Sequence, residues 1–286
     1  MNGGGGGGGG GGPDNVVSSP SANGAENTNG HLQQPLGQIK QALQIVYDPH
    51  SLNDSRKQAS AFLESAKNHK EAPYHGFTLA YDRGHDAVVR HFGLLLLENA
   101  VRYHWAEYST EEGTMVRGWV LALAEKVRMD GGDPVYLRNK IAQLWVEVAK
   151  RSWASEWLDM DELLGKLWEN SSQEGNPAQR DLVLSILENL VEDVFNREDS
   201  AAGIRNTPLS KACIDIFTPV DVLRENFPQR EASAVQRFGN DGWLVRLVEM
   251  LERCLVADVN NNAEVEACAV KTLGTLKACM SWAIPK

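Results

Sequence analysis

Lysine and arginine are absent from the first 39 residues of this 286-residue chain. With no positive start and no apolar stretch behind it, the segment does not read as a secretory signal. Long apolar runs are missing as well: the longest run of Leu, Ile and Val is Leu94 to Leu97, far short of the roughly 18 residues of a membrane span. Cysteine is scarce. Cys213, Cys254, Cys268 and Cys279 show no C-x-x-C spacing and no nearby His pair, because all seven histidines lie between His31 and His104. They read as buried, reduced thiols of a nuclear or cytosolic protein, not as a metal site. Catalytic signatures are equally absent: there is no H-E-x-x-H, no G-x-S-x-G and no segment that pairs Cys with His. Gly3 to Gly12 lacks the strand before and helix after that a phosphate loop requires. His91 and His104 sit beside Phe92 and Trp105 within helical spacing and read as ordinary packed or surface histidines. The expectation is a protein that is not an enzyme, with no catalytic residue, metal or cofactor.

A basic face is missing too. The formal charge is −10, and Trp153 to Ser200 alone carries −9. That block reads as a solvated helix surface, or as one that attracts a basic partner; no stripe for direct DNA binding is visible.

What the chain does have is helical period. Residues 1–33 hold ten consecutive glycines and then Ser, Asn, Pro and Gly with almost no apolar side chains, so they should form a disordered low-complexity tail. From Leu36 onward amphipathic stripes alternate with sharp stops. Leu137, Ile141, Leu144 and Val148 recur at steps of four, three and four, and Val183, Leu187, Leu190 and Val194 repeat the stripe. Asp133-Pro134, Asn176-Pro177 and Thr207-Pro208 each place a capping side chain before a proline suited to the first helical turn, Ser109 to Glu112 fits a capping box, and Ser51 with Asp54 is a weaker version.

The spacing predicts helices near 36–47, 51–68, 75–82, 85–104, 110–129, 134–152, 157–169, 177–197, 208–217, 241–257 and 262–282. Paired as hairpins, their second members begin near 51, 85, 134, 177 and 262. The first intervals, about 34, 49 and 43 residues, bracket the 40–47 of HEAT or armadillo repeats. The fold class is therefore all-α, a HEAT/armadillo-type helical solenoid over residues 34–286, with the tryptophans filling its layers. The last helix runs Val265, Ala269, Leu273, Leu276, Cys279 and Met280 to Trp282-Ala283-Ile284. It ends apolar, so the array is expected to continue beyond Lys286 and the chain to self-associate there.

Two stretches carry a family resemblance. Ala87-Val88-Val89-Arg90-His91-Phe92-Gly93-Leu94 with Leu97-Glu98 and Trp105, and Lys150-Arg151 with Trp153, Trp157 and Met160, resemble the amino-terminal repeats of the importin-β superfamily, nearest to the exportin-5 branch. Ala154 and Leu158 depart from its pattern, where prolines often follow each tryptophan. Val88, Phe92, Leu95 and Leu96 are expected in the core. The resemblance implies a nuclear export receptor that binds Ran-GTP together with protein or structured-RNA cargo, passes nuclear pore proteins and shuttles between nucleus and cytoplasm. Alternatives are an import receptor of the same superfamily, or a HEAT scaffold without a GTPase partner. By the same resemblance, the residues that would face Ran on the second helices are Arg90, Glu98, Asn99 and Arg102, then Asn139, Gln143, Glu147 and Lys150. Glu98 and Lys150 are expected to be exposed charges whose reversal leaves the fold intact.

Overall fold

The computed structural model describes residues 23–128, 133–173, 176–195, 200–257 and 262–280. Among them every regular element is helical, and one isolated bridge joins Trp153 and Trp157. Helices α1 (Asn23–Tyr47) and α2 (Asn53–Ala66) form the first pair, followed by α3 (Ala72–Tyr81) with α4 (Ala87–His104), α5 (Thr110–Glu125) with α6 (Val135–Ser152), and α7 (Met160–Gln173) with α8 (Pro177–Phe195). Short α9 (Ser200–Ile204), α10 (Asn206–Phe217) and α11 (Val220–Asn226) precede the last pair, α12 (Gly242–Val256) and α13 (Ala263–Met280). The second members α4, α6, α8 and α13 pack one against the next, so the chain is a HEAT-type solenoid of stacked hairpins. No helix among the described residues is long and apolar enough to cross a membrane.

Each hairpin hides its apolar stripe against the next, which is why no layer is stable alone. Ile39 and Leu43 of α1, Leu63 of α2, Leu79 of α3 and Leu96 of α4 close the first layer. A continuous core then runs through Leu97, Val120, Ile141, Leu187 and Phe217 to Trp243 and Leu247. Trp145, Trp153, Trp157, Trp168 and Trp243 are buried, and the Trp145 and Trp157 rings lie 5.0 Å apart. All four cysteines are free thiols, three of them buried. Of the expected core residues, Phe92 and Leu96 are buried, Leu95 is partly covered and Val88 is exposed in the first turn of α4. On α13, Val270, Leu273 and Met280 are exposed.

The crossing of α3 and α4 explains one letter of the family signature. Gly93 of α4 lies against Gly76 of α3, and a Cβ on Gly93 would sit 2.6 Å from the Gly76 carbonyl oxygen. Only two glycines allow backbones that near.

The helix starts hold one confirmation and several corrections. Ser109 and Glu112 form the expected capping box at α5. Asp133 does not cap α6: Pro134 is the cap residue, and the Asp133 carboxylate accepts the Arg128 N–H at 2.9 Å and turns to arginines of neighbouring elements. Asn176, just ahead of α8, gives its amide N–H to the Val127 carbonyl at 2.9 Å. Helix α10 begins at Asn206, ahead of Thr207, with no side-chain cap, and α2 has Leu52 as its uncapped flank. Helix α1 begins at Asn23, well before the predicted start near 36, with Pro35 inside it; residues 1–22 of the expected tail lie outside the described residues, as does the end of the chain after Met280. Helices α9 and α11 were not predicted, being five and seven residues long, too short to show a period.

The departure at Ala154 has a backbone cause. Helix α6 ends at Ser152, and Ala154 adopts φ +62°, a conformation closed to proline, whose ring fixes φ near −65°. Arg205 secures this joint, donating to the Lys150 carbonyl at 2.9 Å and the Trp153 carbonyl at 2.5 Å.

Candidate functional site

Along the row of second helices, charges on one hairpin meet opposite charges on the next. Arg90 of α4 lies 2.6 Å from Asp133, just ahead of α6, and Arg83 reaches the same carboxylate at 3.3 Å. Arg138 of α6 donates to Asp181 of α8 at 3.2 Å, and Lys271 of α13 meets Asp181 at 2.7 Å. A second rung lies farther along the helices. Lys140 pairs with Glu98, Arg102 with Glu147 at 3.0 Å, and Lys150 spans Glu147 and Asp193, each at 2.8 Å. Arg151 adds a 2.7 Å bond to Glu147.

Burial decides what these pairs do. The side chains of Lys150 and Glu147 are only 1% and 5% accessible, so stripping either of all its partners would leave an uncompensated charge in the interior, a cost on the order of 3–5 kcal/mol. Burial by itself would push the Glu147 carboxyl up; Lys150, Arg102 and Arg151 outweigh it and hold the group below its ordinary value. The Arg102 guanidinium, partly desolvated, is held above its usual value by Glu147 and Glu98. Glu188 of α8 has less help: burial raises its carboxyl and Glu192 adds to the rise, which Lys271 opposes without overcoming.

The eight predicted residues therefore divide. Arg90, Glu147 and Lys150 are buried and paired across repeats. Glu98 is mostly covered, between Lys140 and Arg102. Asn99 is half-buried, its carbonyl oxygen without a hydrogen-bond partner among the described residues. Arg102, Asn139 and Gln143 are exposed. The expectation that Glu98 and Lys150 are exposed charges is corrected by these contacts, since both belong to the cross-repeat pairing. Sequence reasoning missed Asp133, Asp181, Asp193 and Lys271 as the partners. A signal was present: Arg90 and Asp133, Arg138 and Asp181, and Lys150 and Asp193 are each 43 residues apart, one repeat length.

Comparison with known proteins places this array. Residues 134–218 match the family model described as Exportin 1-like protein. The chain is 31% identical over 259 residues to Protein MSN5 of Saccharomyces cerevisiae, an alignment that covers 86% of this chain and 20% of that protein. It is 30% identical over 167 residues to Exportin-5 of Dictyostelium discoideum, covering 58% of this chain and 14% of the relative. Against Exportin-5 of Homo sapiens the figures are 31% over 161 residues, 55% and 13%. The chain thus spans about a fifth or less of the length of these relatives. The two signature stretches lie on α4 and at the end of α6, inside stacked hairpins of the expected kind, and the relatives agree with them: the chain belongs to the importin-β superfamily, on its exportin-5 branch.

Proposed function

We propose that this chain is part of a nuclear export receptor that holds Ran-GTP together with cargo, carries it past nuclear pore proteins, and shuttles between nucleus and cytoplasm. The observation that carries the reading is the alignment over 86% of the chain with a relative of the same superfamily, joined by relatives named exportins. Such a receptor needs no chemistry of its own. Two ligands that favour one curvature of the array help each other bind, and removing one releases the other.

Within this reading the eight candidates have two roles. Arg102, Asn139 and Gln143, exposed on α4 and α6, contact the GTPase directly, with Asn99 beside them. Arg90, Glu98, Glu147 and Lys150 set the spacing of the helices that present them. Protein cargo fits this segment better than RNA, because Arg90, Arg138, Lys140, Lys150 and Arg151 are already neutralised by carboxylates and offer little to phosphates.

A pull-down with Ran locked in its GTP and GDP forms tests the proposal. The GTP form should be retained selectively, and Asn139→Glu with Gln143→Glu, both exposed on α6, should weaken retention at least about tenfold with little change in melting temperature. Equal retention of both forms would refute the receptor reading; unchanged binding by the double variant would refute only the contact residues.

A further inference from the structure

Away from the second-helix row, α10, α11 and the chain that follows α11 enclose a cleft of about 410 Å³. Its polar groups are unusual in sign. Arg230 is neutralised by buried Asp215, whose other oxygen accepts the Ser233 N–H at 2.6 Å. Each of the remaining polar side chains, Arg224, Ser233 and Arg237, keeps at least one donor group unpartnered among the described residues. The Ser233 hydroxyl and the Arg237 Nε are both buried without a hydrogen-bond partner among the described residues. Arg224 is exposed and makes no ion pair among the described residues. Arg237 does anchor one end, donating from Nη2 to the Thr218 carbonyl at 2.7 Å. Burial pushes its guanidinium pKa down, and Arg246 and Arg230 add to that effect against Asp215 and Asp161. Leu223, Phe227 and Val235 make the other half of the lining apolar.

We propose that this cleft binds a peptide segment presenting one oxyanion, a carboxylate or a phosphate ester, beside an apolar side chain. Unpaired buried donors cost stability until an acceptor reaches them, and charge-assisted bonds from Arg and Ser to an oxyanion are among the stronger ones available. A free inorganic anion would leave Leu223, Phe227 and Val235 unused. Nucleic acid fits less well, because the exposed carboxylates of Asp221, Glu225 and Glu231 flank the cleft in sequence and oppose a run of phosphates. One negative charge with an apolar neighbour satisfies both halves. The proposal does not rest on the export reading, and either can fail alone.

Fluorescence anisotropy with the whole chain and labelled hexapeptides Gly-Ser-X-Leu-Gly-Ser, where X is Glu, phosphoserine or Gln, tests it. At least one anionic peptide should bind with a Kd near or below about 0.1 mM and roughly tenfold more tightly than the Gln peptide; the Glu and phosphoserine arms distinguish the two oxyanions. Arg224→Glu should reduce that binding by about tenfold or more and leave the thermal melt in place, since Arg224 is exposed and unpaired. Ser233→Ala should weaken it several-fold, with inorganic phosphate competing only at millimolar levels. If all three peptides bind alike, if none binds below about 1 mM, or if Arg224→Glu binds as the parent does, the proposal is overturned.

Discussion

Asp161 shows how much one buried side chain can set. It opens α7, is 1% exposed, and accepts the Phe238 N–H at 2.7 Å and the Trp243 Nε1–H at 2.5 Å, so it ties the segment before α12 onto the array. The Phe238 ring then rests on Gly165, one turn along α7, where any Cβ would collide with it. Burial raises the Asp161 carboxyl from 3.8 to about 6, against the pull of those two donors, Arg246 and Arg237. Because the folded pKa is the higher one, the native state binds the proton more tightly between those values. The contribution is fully present below about 3.8 and is lost as pH rises through about 6; the shift is worth on the order of 3 kcal/mol. Urea melts of the parent and Asp161→Asn between pH 4 and pH 7 should therefore show the parent's advantage shrinking as pH rises. An advantage that grows toward pH 7 would show that the carboxylate, not the acid, is the better-held form. None of this was legible beforehand: Asp161 stood as one acidic residue among twelve in its block, and its partners lie 77 and 82 residues away.

At the scale of the element, the long helices were legible because their stripes face a core. Expected spans of 85–104, 134–152 and 177–197 correspond to α4, α6 and α8 within a few residues. Their meeting points were not, because nothing in a stripe says where two backbones touch. Gly93 was read as part of a family signature, and the structure makes it the crossing point of α3 and α4. A proline-marked start misled for a related reason: Asp133 was taken for a local cap of α6, while its carboxylate is used by Arg128 and by Arg90 of α4. Two glycines on helices make opposite tests. Gly93→Ala should destabilise by about 1–3 kcal/mol or more, since the Gly76 carbonyl and the backbone of Ala80 leave no room for the methyl group. Gly118 is exposed within α5 with nothing within 4 Å of an added Cβ. Gly118→Ala should stabilise by about 0.5–1 kcal/mol through the unfolded state. Thermal melts would show both; a tolerated Gly93→Ala would mean that α3 and α4 can slide apart at little cost.

On the scale of the whole molecule, a stack of hairpins has stability that is roughly a sum of layer terms and interface terms, and the interfaces decide whether it melts as one body. Between α6 and α8 that interface joins apolar burial to two cross-repeat pairs, Arg138 with Asp181 and Lys150 with Asp193. Lys150 matters more, because it also neutralises Glu147, to which Arg102 of α4 is bound, so one ammonium couples three successive second helices. Lys150→Met keeps the length and the apolar stem of the side chain and removes the charge. Glu147 would keep Arg102 and Arg151, whereas Asp193 would lose this partner across the layer. The expected loss is on the order of 1 kcal/mol, because the Asp193 side chain is 37% exposed and water takes over part of the lost contact, and it should be uneven. In hydrogen exchange read by mass spectrometry, α8 and α13 should lose protection first, with α3 and α4 nearly unchanged, because the Gly76–Gly93 crossing lies on the other side of the broken layer. The double variant Lys150→Met with Asp193→Leu should recover part of the loss, since replacing a partnered charge pair by apolar groups is far milder than orphaning one member. Uniform loss of protection along the chain, with no recovery in the double variant, would mean that the array unfolds as a single unit and that its charge pairs do not set where it comes apart.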